Sequence, residues 1–240
     1  MGRHRVTRAC LIPARGRSKR FPGKNIAPLK GRPLLEYSLD AADRCGLFDR
    51  IWVSTEDEAI ASVAKRCGAF IHHRPPTLAD DRATVVDVCL DFCDWLLKSE
   101  PAPEVLCVVS ATAALLEPED LTGAWNMLER TSADVVMGTT SFYEKPFWAL
   151  YESNGTLKPY FGEKFLKKSQ DLPQVCVDSG YFYFARVPAL QEEKTFYSRK
   201  LVGYPIPRER SVDIDEPVHL KIAEALMGLR KREYSSGRIR

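Results

Sequence analysis

The sequence predicts an open α/β fold, a mostly parallel sheet with helices on both faces. Three observations carry that reading. Short apolar runs alternate with segments of helical period from residue 9 to about residue 137, and strands separated by helices pair in parallel. The first apolar run ends in a turn-rich cationic loop, and ligands of such sheets bind outside the carboxyl ends of the strands. A chain of 240 residues with 45% hydrophobic and 28% charged residues is also long enough to bury a sizeable core and ordinary for a globular domain.

The elements follow in chain order. Ala9 to Pro13 is a short apolar run, read as a buried strand. Pro33 suits the first position of a helix whose buried stripe is Leu34, Leu35, Tyr37, Leu39 and Ala42, with Gly46 as its stop. Arg50 to Ser54 reads as a second strand, and Asp57 to Cys67 as a helix ended by Gly68. Ala69 to Ile71 is a short third strand. Thr84 to Lys98 sets Val85, Val88, Cys89, Phe92, Trp95 and Leu96 at a helical period. Val105 to Val109 is the most continuous strand signal. Pro118 to Leu128 is the next helix, followed by a strand from Ala133 to Met137.

The pattern changes near residue 140. The segment 141–177 is aromatic and basic with weak periodicity, and so many aromatics are ill suited to open water. It is read as an insert that covers the site, packs against a second subunit, or does both. Gly180 to Ala185 and Leu201 to Ile206 read as strands, and a last helix runs from about Glu216 to Leu229 with Pro217 in its first turn. With no internal repeat or low-complexity linker, residues 1–240 form a single domain in this reading.

Composition excludes several classes. A net charge of +3 is weak for a duplex-binding domain. Arg3, His4, Arg5 and Arg8 at one end, and Arg230, Lys231, Arg232, Arg238 and Arg240 at the other, read as solvated termini. The seven cysteines are scattered without zinc-ligand spacing, which fits a reducing, cytoplasmic setting; Cys89 and Cys93 share a helix face for packing. The Ala9–Ile12 run is too short for a signal peptide, and no apolar run approaches membrane-spanning length.

The loop itself reads "IPARGRSKRFPGKN", Ile12 to Asn25, with five cationic residues in fourteen and Pro13, Gly16, Pro22 and Gly23 punctuating them. Such a turn points backbone N–H groups inward and adds cationic side chains to their field, which suits a polyphosphate. A solvated basic loop would carry the same charge but does not account for the tight punctuation. Neither Gly-x-x-x-x-Gly-Lys-[Ser/Thr] nor Gly-x-Gly-x-x-Gly is present, so ordinary ATPase and dinucleotide readings fall.

This loop and the following "LKGRPLLEYSLDAA" resemble the cytidylyltransferases that activate acidic keto-sugars, the CMP–sialic acid synthetase family. "VSTEDEAIASVAKRCGA", "RPPTLADDRAT", "LLEPEDL", "SQDLPQVCVDSGYFYFAR" and "VDIDEP" follow in family order, so the resemblance spans Cys10 to Leu226. "VSATAALLEPEDL", "TTSFYEKPFWAL" and "DSGYFYFAR" look most like the pseudaminic acid branch. Arg17 stands where a second loop glycine is usual, and Ala114 where the branch commonly has proline.

The resemblance implies a nucleotide-diphospho-sugar transferase-like fold with a protruding arm, and a reaction in which CTP and a nine-carbon 2-keto sugar acid give a CMP-sugar and pyrophosphate. It implies triphosphate binding by Arg15, Lys19 and Lys24 with backbone N–H groups near Gly16 and Ser18, Arg15 and Lys24 being catalytic together with Asp215. Arg20 is either a further contact or a solvent-facing neighbour. Asn25, Arg74 and Thr84 match positions that read cytosine and ribose; loop capping for Asn25 and a surface ion pair for Arg74 are the structural alternatives. Ser110 stands where relatives hold a base-contacting glutamine, so recognition there must lean on backbone groups. Asp213 and Asp215 alternate along an extended segment, so both carboxylates can face one Mg²⁺ while Ile214 faces the core; a helix N-terminal charge is the other reading. Sugar binding falls to Gln170, Asp178 and the Gly180 backbone, with Lys145, Lys167 or Lys168 near the sugar carboxylate. His72, His73 and His219 are poorly placed as a general base. The resemblance also implies a homodimer in which the 141–177 insert reaches the partner's site. A Kdo cytidylyltransferase and an inactive nucleotide-binding relative are the rival readings.

Overall fold

A computed structural model describes residues 8–98 and 103–235. Arg3, His4, Arg5, Arg238 and Arg240 lie outside the described residues, as do the side chains of Arg230, Lys231 and Arg232. The first described element is β1 (Arg8–Pro13), whose sequence RACLIP is buried from Ala9 to Ile12. Arg8 is no solvated tail: its guanidinium lies 5.1 Å from the centre of the Trp125 ring.

The paired stubs β2 (Pro28–Leu29) and β3 (Arg32–Pro33) precede α1 (Leu34–Arg44). Then come β4 (Arg50–Thr55), α2 (Glu58–Arg66), β5 (Phe70–His73), α3 (Val85–Leu96) and β6 (Val105–Val109). α4 (Pro118–Arg130) leads to β7 (Val135–Ser141), and the hairpin β8 (Leu150–Ser153) and β9 (Thr156–Pro159) leads to β10 (Cys176–Arg186). α5 (Val187–Glu193), β11 (Leu201–Pro205) and α6 (Pro217–Ser235) complete it. Asp57 and Thr84 cap α2 and α3 with their side chains, Thr84 in a reciprocal box with Asp87.

Seven strands form one sheet in the order β11-β7-β10-β6-β1-β4-β5. Among the described residues, β10 is the strand that runs against its neighbours, and the other pairings in this sheet are parallel. The period-two alternation of β1 divides the core. Cys10 and Ile12 pack with residues of α1, α2, α4 and α6, whereas Ala9 and Leu11 pack with residues of α3 and α5 on the opposite face. Helices therefore cover both faces, as expected.

The sequence reading departs from the structure at definite places. α3 buries Val88, Cys89, Phe92, Cys93 and Leu96, while Val85 is 47% exposed at its start. α5 was not anticipated; it is seven residues long and buries only Val187 and Leu190, too few for a period. β10 begins at Cys176 rather than Gly180, and its pairing with β7 slips between Asp178 and Tyr183. Gly180, at φ 69°, takes up that bulge. Between β7 and β10, the hairpin forms its own two-stranded sheet around Asn154 and Gly155, both at positive φ as a two-residue hairpin turn requires. Much of this segment is exposed, including Tyr143, Leu157, Tyr160 and Leu166.

Candidate active site

β1 ends at Pro13 opposite Ser54, and the Ala14 N–H still reaches the Ser54 carbonyl at 2.9 Å before the chain turns away from the sheet. The loop that follows is held from beneath. Gly16 donates its N–H to Glu56 Oε1 at 2.8 Å. A Cβ on Gly16 would lie 2.5 Å from Asp57 Oδ2, so only glycine fits against the start of α2. Gly23, at φ 69°, admits a single 3₁₀ turn at Lys24–Ile26. Within that turn Asn25 is buried and donates its side-chain amide to the Arg15 carbonyl at 2.9 Å.

The loop borders a cavity of about 530 Å³ at the carboxyl ends of the strands. Of the residues expected to bind nucleotide, Arg15, Ser18, Lys19, Lys24, Asn25, Arg74, Thr84 and Ser110 line it, and so does Asp215. Gly16 borders an adjoining cavity together with Glu56, and its N–H is engaged by that carboxylate. Gln170, Asp178 and Gly180 line neither cavity. The Asp178 carboxylate accepts bonds from the Gly180 N–H at 2.8 Å and the Tyr183 hydroxyl at 2.7 Å, with the Tyr197 hydroxyl at 3.3 Å. Gln170, Lys167 and Lys168 are exposed on the segment before β10, and Lys145 is half-buried there.

Charge is arranged around the cavity in two knots. Lys24 Nζ lies 2.9 Å from Asp215 Oδ1, and Arg20 Nη2 lies 2.6 Å from Asp215 Oδ2. Arg20 thus borders the cavity while its side chain stays 65% exposed to solvent. Across it, Arg15 Nη1 meets Asp81 Oδ1 at 3.1 Å and the Asp80 carbonyl at 3.2 Å, and Lys19 pairs with the second oxygen of Asp81. Partial burial pulls the Asp215 pKa upward, but the bonds and charges of Lys24 and Arg20 outweigh it and leave it below the usual carboxylate value. Loss of hydration, then the neighbouring Asp215 charge, raises that of Asp213.

The acidic segment is anchored from both sides. Ile214 is fully buried between the two carboxylates, as the alternation predicts. The Tyr181 hydroxyl donates to the Val212 carbonyl at 3.1 Å and accepts the Val212 N–H at 3.0 Å. His219 Nδ1 accepts the Asp215 N–H at 3.1 Å, so this ring braces the acidic segment. Upstream, Arg210 forms a two-pronged pair with Asp120 at the start of α4 and also meets Glu117. Ser110 has both backbone groups engaged: its N–H donates to the Tyr181 carbonyl, and its carbonyl accepts from Ser38 Oγ. Among the described residues, no group of three or more His, Cys, Asp or Glu side chains is placed to hold a metal ion by itself.

A family model described as cytidylyltransferase matches residues 9–226, from the second residue of β1 into α6. The chain belongs to the cytidylyltransferase family. The pseudaminic acid cytidylyltransferase of Campylobacter jejuni is 34% identical to it over 90% of this chain and 94% of its own length. N-acylneuraminate cytidylyltransferase A of Danio rerio is 32% identical over 90% of this chain and 50% of its own length. The fold of this cytidylyltransferase is shared with a CMP:2-keto-3-deoxy-manno-octonic acid synthetase complexed with CTP, at a TM-score of 0.66 and 16% identity over 93% of this chain and 99% of the other. A 4-diphosphocytidyl-2C-methyl-D-erythritol synthase shares it at a TM-score of 0.63 and 16% identity over 94% of this chain and 100% of the other.

Several site residues of this cytidylyltransferase escaped the sequence reading. Asp81 lies within the quoted "RPPTLADDRAT" stretch, but nothing in its spacing tells that it folds back onto Arg15 and Lys19. Glu56 and Tyr181 act through contacts with residues 40 and 31 positions away, which no local pattern records. All seven cysteines are free, and Cys10, Cys89, Cys93 and Cys107 are core residues. No helix among the described residues is long and apolar enough to cross a membrane.

Proposed function

We propose that this enzyme moves CMP from CTP to the anomeric hydroxyl of a nine-carbon 2-keto sugar acid of the pseudaminate type, releasing pyrophosphate. One observation carries the reading: the cationic loop and the acidic segment, 191 positions apart at Lys24 and Asp215, meet beside one cavity of about 530 Å³. The choice of acceptor rests on the pseudaminic acid cytidylyltransferase of Campylobacter jejuni, 34% identical along most of both chains.

In this reading Arg15, Lys19 and Lys24 hold the triphosphate, and Arg74, Asn25 and Thr84 hold the nucleoside. The sugar hydroxyl oxygen attacks the α-phosphorus, the bond to the pyrophosphate oxygen breaks, and the hydroxyl proton passes to solvent. Such a transfer depends on positioning and charge neutralisation more than on covalent help. In this reading Lys24, which borders the cavity and is only 18% exposed, offsets the charge that grows on the leaving pyrophosphate. With its Nδ1 taken by the N–H groups of Asp215 and Glu216, His219 has no free acceptor there for the proton.

Asp213 and Asp215 fit a Mg²⁺ site. They flank the fully buried Ile214 on one extended segment, and Mg²⁺ characteristically takes one or two carboxylates and completes its shell with water and substrate phosphate. The ion would supply charge neutralisation at the phosphates and acidify an oxygen near it. Asp215 would then release Lys24 and Arg20 to the phosphates.

The exposed Tyr143, Leu157, Tyr160 and Leu166 of the insert support a homodimer built on that segment. The assignment of Gln170, Asp178 and Gly180 to the sugar rests on the family resemblance alone, since they line neither cavity. Sedimentation at micromolar protein checks the dimer: one species of twice the 27.1 kDa chain mass is expected. The activity is checked by incubating protein, CTP and Mg²⁺ with pseudaminic, legionaminic, sialic and Kdo acids and following pyrophosphate. Release is expected with pseudaminic acid first. Turnover with Kdo alone, or with none of them, would overturn the reading.

A further inference from the structure

Arg74 is the buried cation of the cavity. It is 6% exposed, yet among the described residues it makes no ion pair with a carboxylate. Its partners are instead a single residue of the neighbouring strand: Nε donates to Ser54 Oγ at 3.2 Å and Nη2 donates to the Ser54 carbonyl at 2.8 Å. A buried guanidinium held by a hydroxyl and a carbonyl keeps its net charge for whatever enters the cavity.

Ser54 is itself oriented from behind. It pairs with His72 across β4 and β5, and the two side chains meet at 3.0 Å between Oγ and Nδ1. His72 is 1% exposed and packs edge-on against Phe92, with Trp95 beside it. Its other nitrogen, Nε2, lies 3.2 Å from Asp91 Oδ2, a buried oxygen that makes no regular hydrogen bond, so the approach is an electrostatic one.

These contacts select one tautomer of His72. A carboxylate facing Nε2 calls for the N–H there, which leaves Nδ1 as an acceptor. Ser54 then donates its hydroxyl proton to Nδ1, and its lone pairs face Arg74. Burial lowers the His72 pKa to about 4 in spite of Asp91, so the ring is neutral at ordinary pH. A protonated ring would donate to Ser54 Oγ, as Arg74 Nε does, and leave the hydroxyl proton without His72 as its acceptor.

We infer that Ser54 and His72 are positioning residues that hold the Arg74 guanidinium in the nucleotide cavity, with Asp91 setting the tautomer. The inference rests on the reading of the cavity as the CTP site. Ser54 also accepts the Ala14 N–H, so the same residue ties the start of the cationic loop to the arginine. Losing a hydrogen bond to a charged group weakens binding by about tenfold or more. The contact persists from bound nucleotide to transition state, so it moves KM for CTP and leaves kcat within about twofold.

The test is CTP binding by calorimetry and steady-state kinetics on Arg74→Ala, Ser54→Ala and their double variant. Weakening by about tenfold in Ser54→Ala, no further loss on adding Ser54→Ala to Arg74→Ala, and an unchanged KM for the sugar acid are expected. If Arg74→Ala weakens CTP and Ser54→Ala does not, the positioning role is overturned while the cavity reading stands. If Arg74→Ala itself binds CTP normally, the reading of the cavity fails and this inference with it. His72→Asn and His72→Gln serve where Ser54→Ala does not fold. Both lose the ring, but the asparagine oxygen sits where Nδ1 accepts from Ser54, whereas the glutamine reaches Asp91 instead. CTP affinity retained in His72→Asn and lost in His72→Gln is expected, and equal affinity in the two would overturn the role.

Discussion

Lys24 Nζ sits 2.9 Å from Asp215 Oδ1, although 191 positions separate the two residues. Each belongs to a different cluster: Lys24 to the cationic loop after β1, Asp215 to the acidic segment before α6. Arg20 holds the second oxygen of the same carboxylate, and Asp81 holds Arg15 and Lys19 in the same manner. Four of the five loop cations, Arg15, Lys19, Arg20 and Lys24, are therefore paired with carboxylates that a bound triphosphate would displace in the proposed reading.

Lys24→Ala should lower turnover by about 10²–10³, the usual cost of one contact to developing charge, and Asp215→Ala should lower it comparably. Pyrophosphate release measures this. Circular dichroism should be unchanged, because the Lys24 side chain is partly exposed and the core beneath it is intact.

Asp81→Asn should do the opposite at the binding step. Asp81 is half-exposed and competes with phosphate for Arg15 and Lys19. Its neutralisation should lower KM for CTP by about two- to fivefold, with the gain fading as salt is raised. An increase in KM would show that Asp81 helps rather than competes.

Arg210→Ala should destabilise the fold by about 3 kcal/mol, since Asp120 is 4% exposed and would keep a buried charge without its two-pronged partner. Urea unfolding measures the change, and Arg210→Ala with Asp120→Asn should recover part of it.

His72 gives a pH dependence of defined sign. Its folded pKa is lowered by burial from 6.5 to about 4, so the unfolded chain binds more protons between those values. That stability is complete above pH 6.5 and is lost as pH falls toward 4, on the order of 3 kcal/mol in all. Urea unfolding of wild type and His72→Asn at pH 7 and pH 4.5 should show the difference between them shrinking at the lower pH.

The parts of the fold that were legible are those with a local period. β1 and β6 are continuous apolar runs, and α1, α2 and α4 carry a stripe with a cap or a glycine stop. α5 was illegible because two buried residues make no period, and the reversal of β10 because direction is a property of pairing, not of composition. The site divides in the same way. That Lys24, Asn25 and Asp215 border one cavity agrees with what the family resemblance implies for them. Asp81, Tyr181 and the Ser54–His72 contact were not legible, since each works by a fold-dependent approach of side chains whose own neighbours in sequence say nothing of it.

A crystal structure with CTP bound is the decisive measurement. The triphosphate is expected against Arg15, Lys19 and Lys24, the nucleoside beside Arg74 and Asn25, and Asp215 turned from Lys24 toward the phosphates. Nucleotide seated away from this cavity, or bound there with Lys24 still paired to Asp215 and no contact to the triphosphate, would contradict the proposed reading.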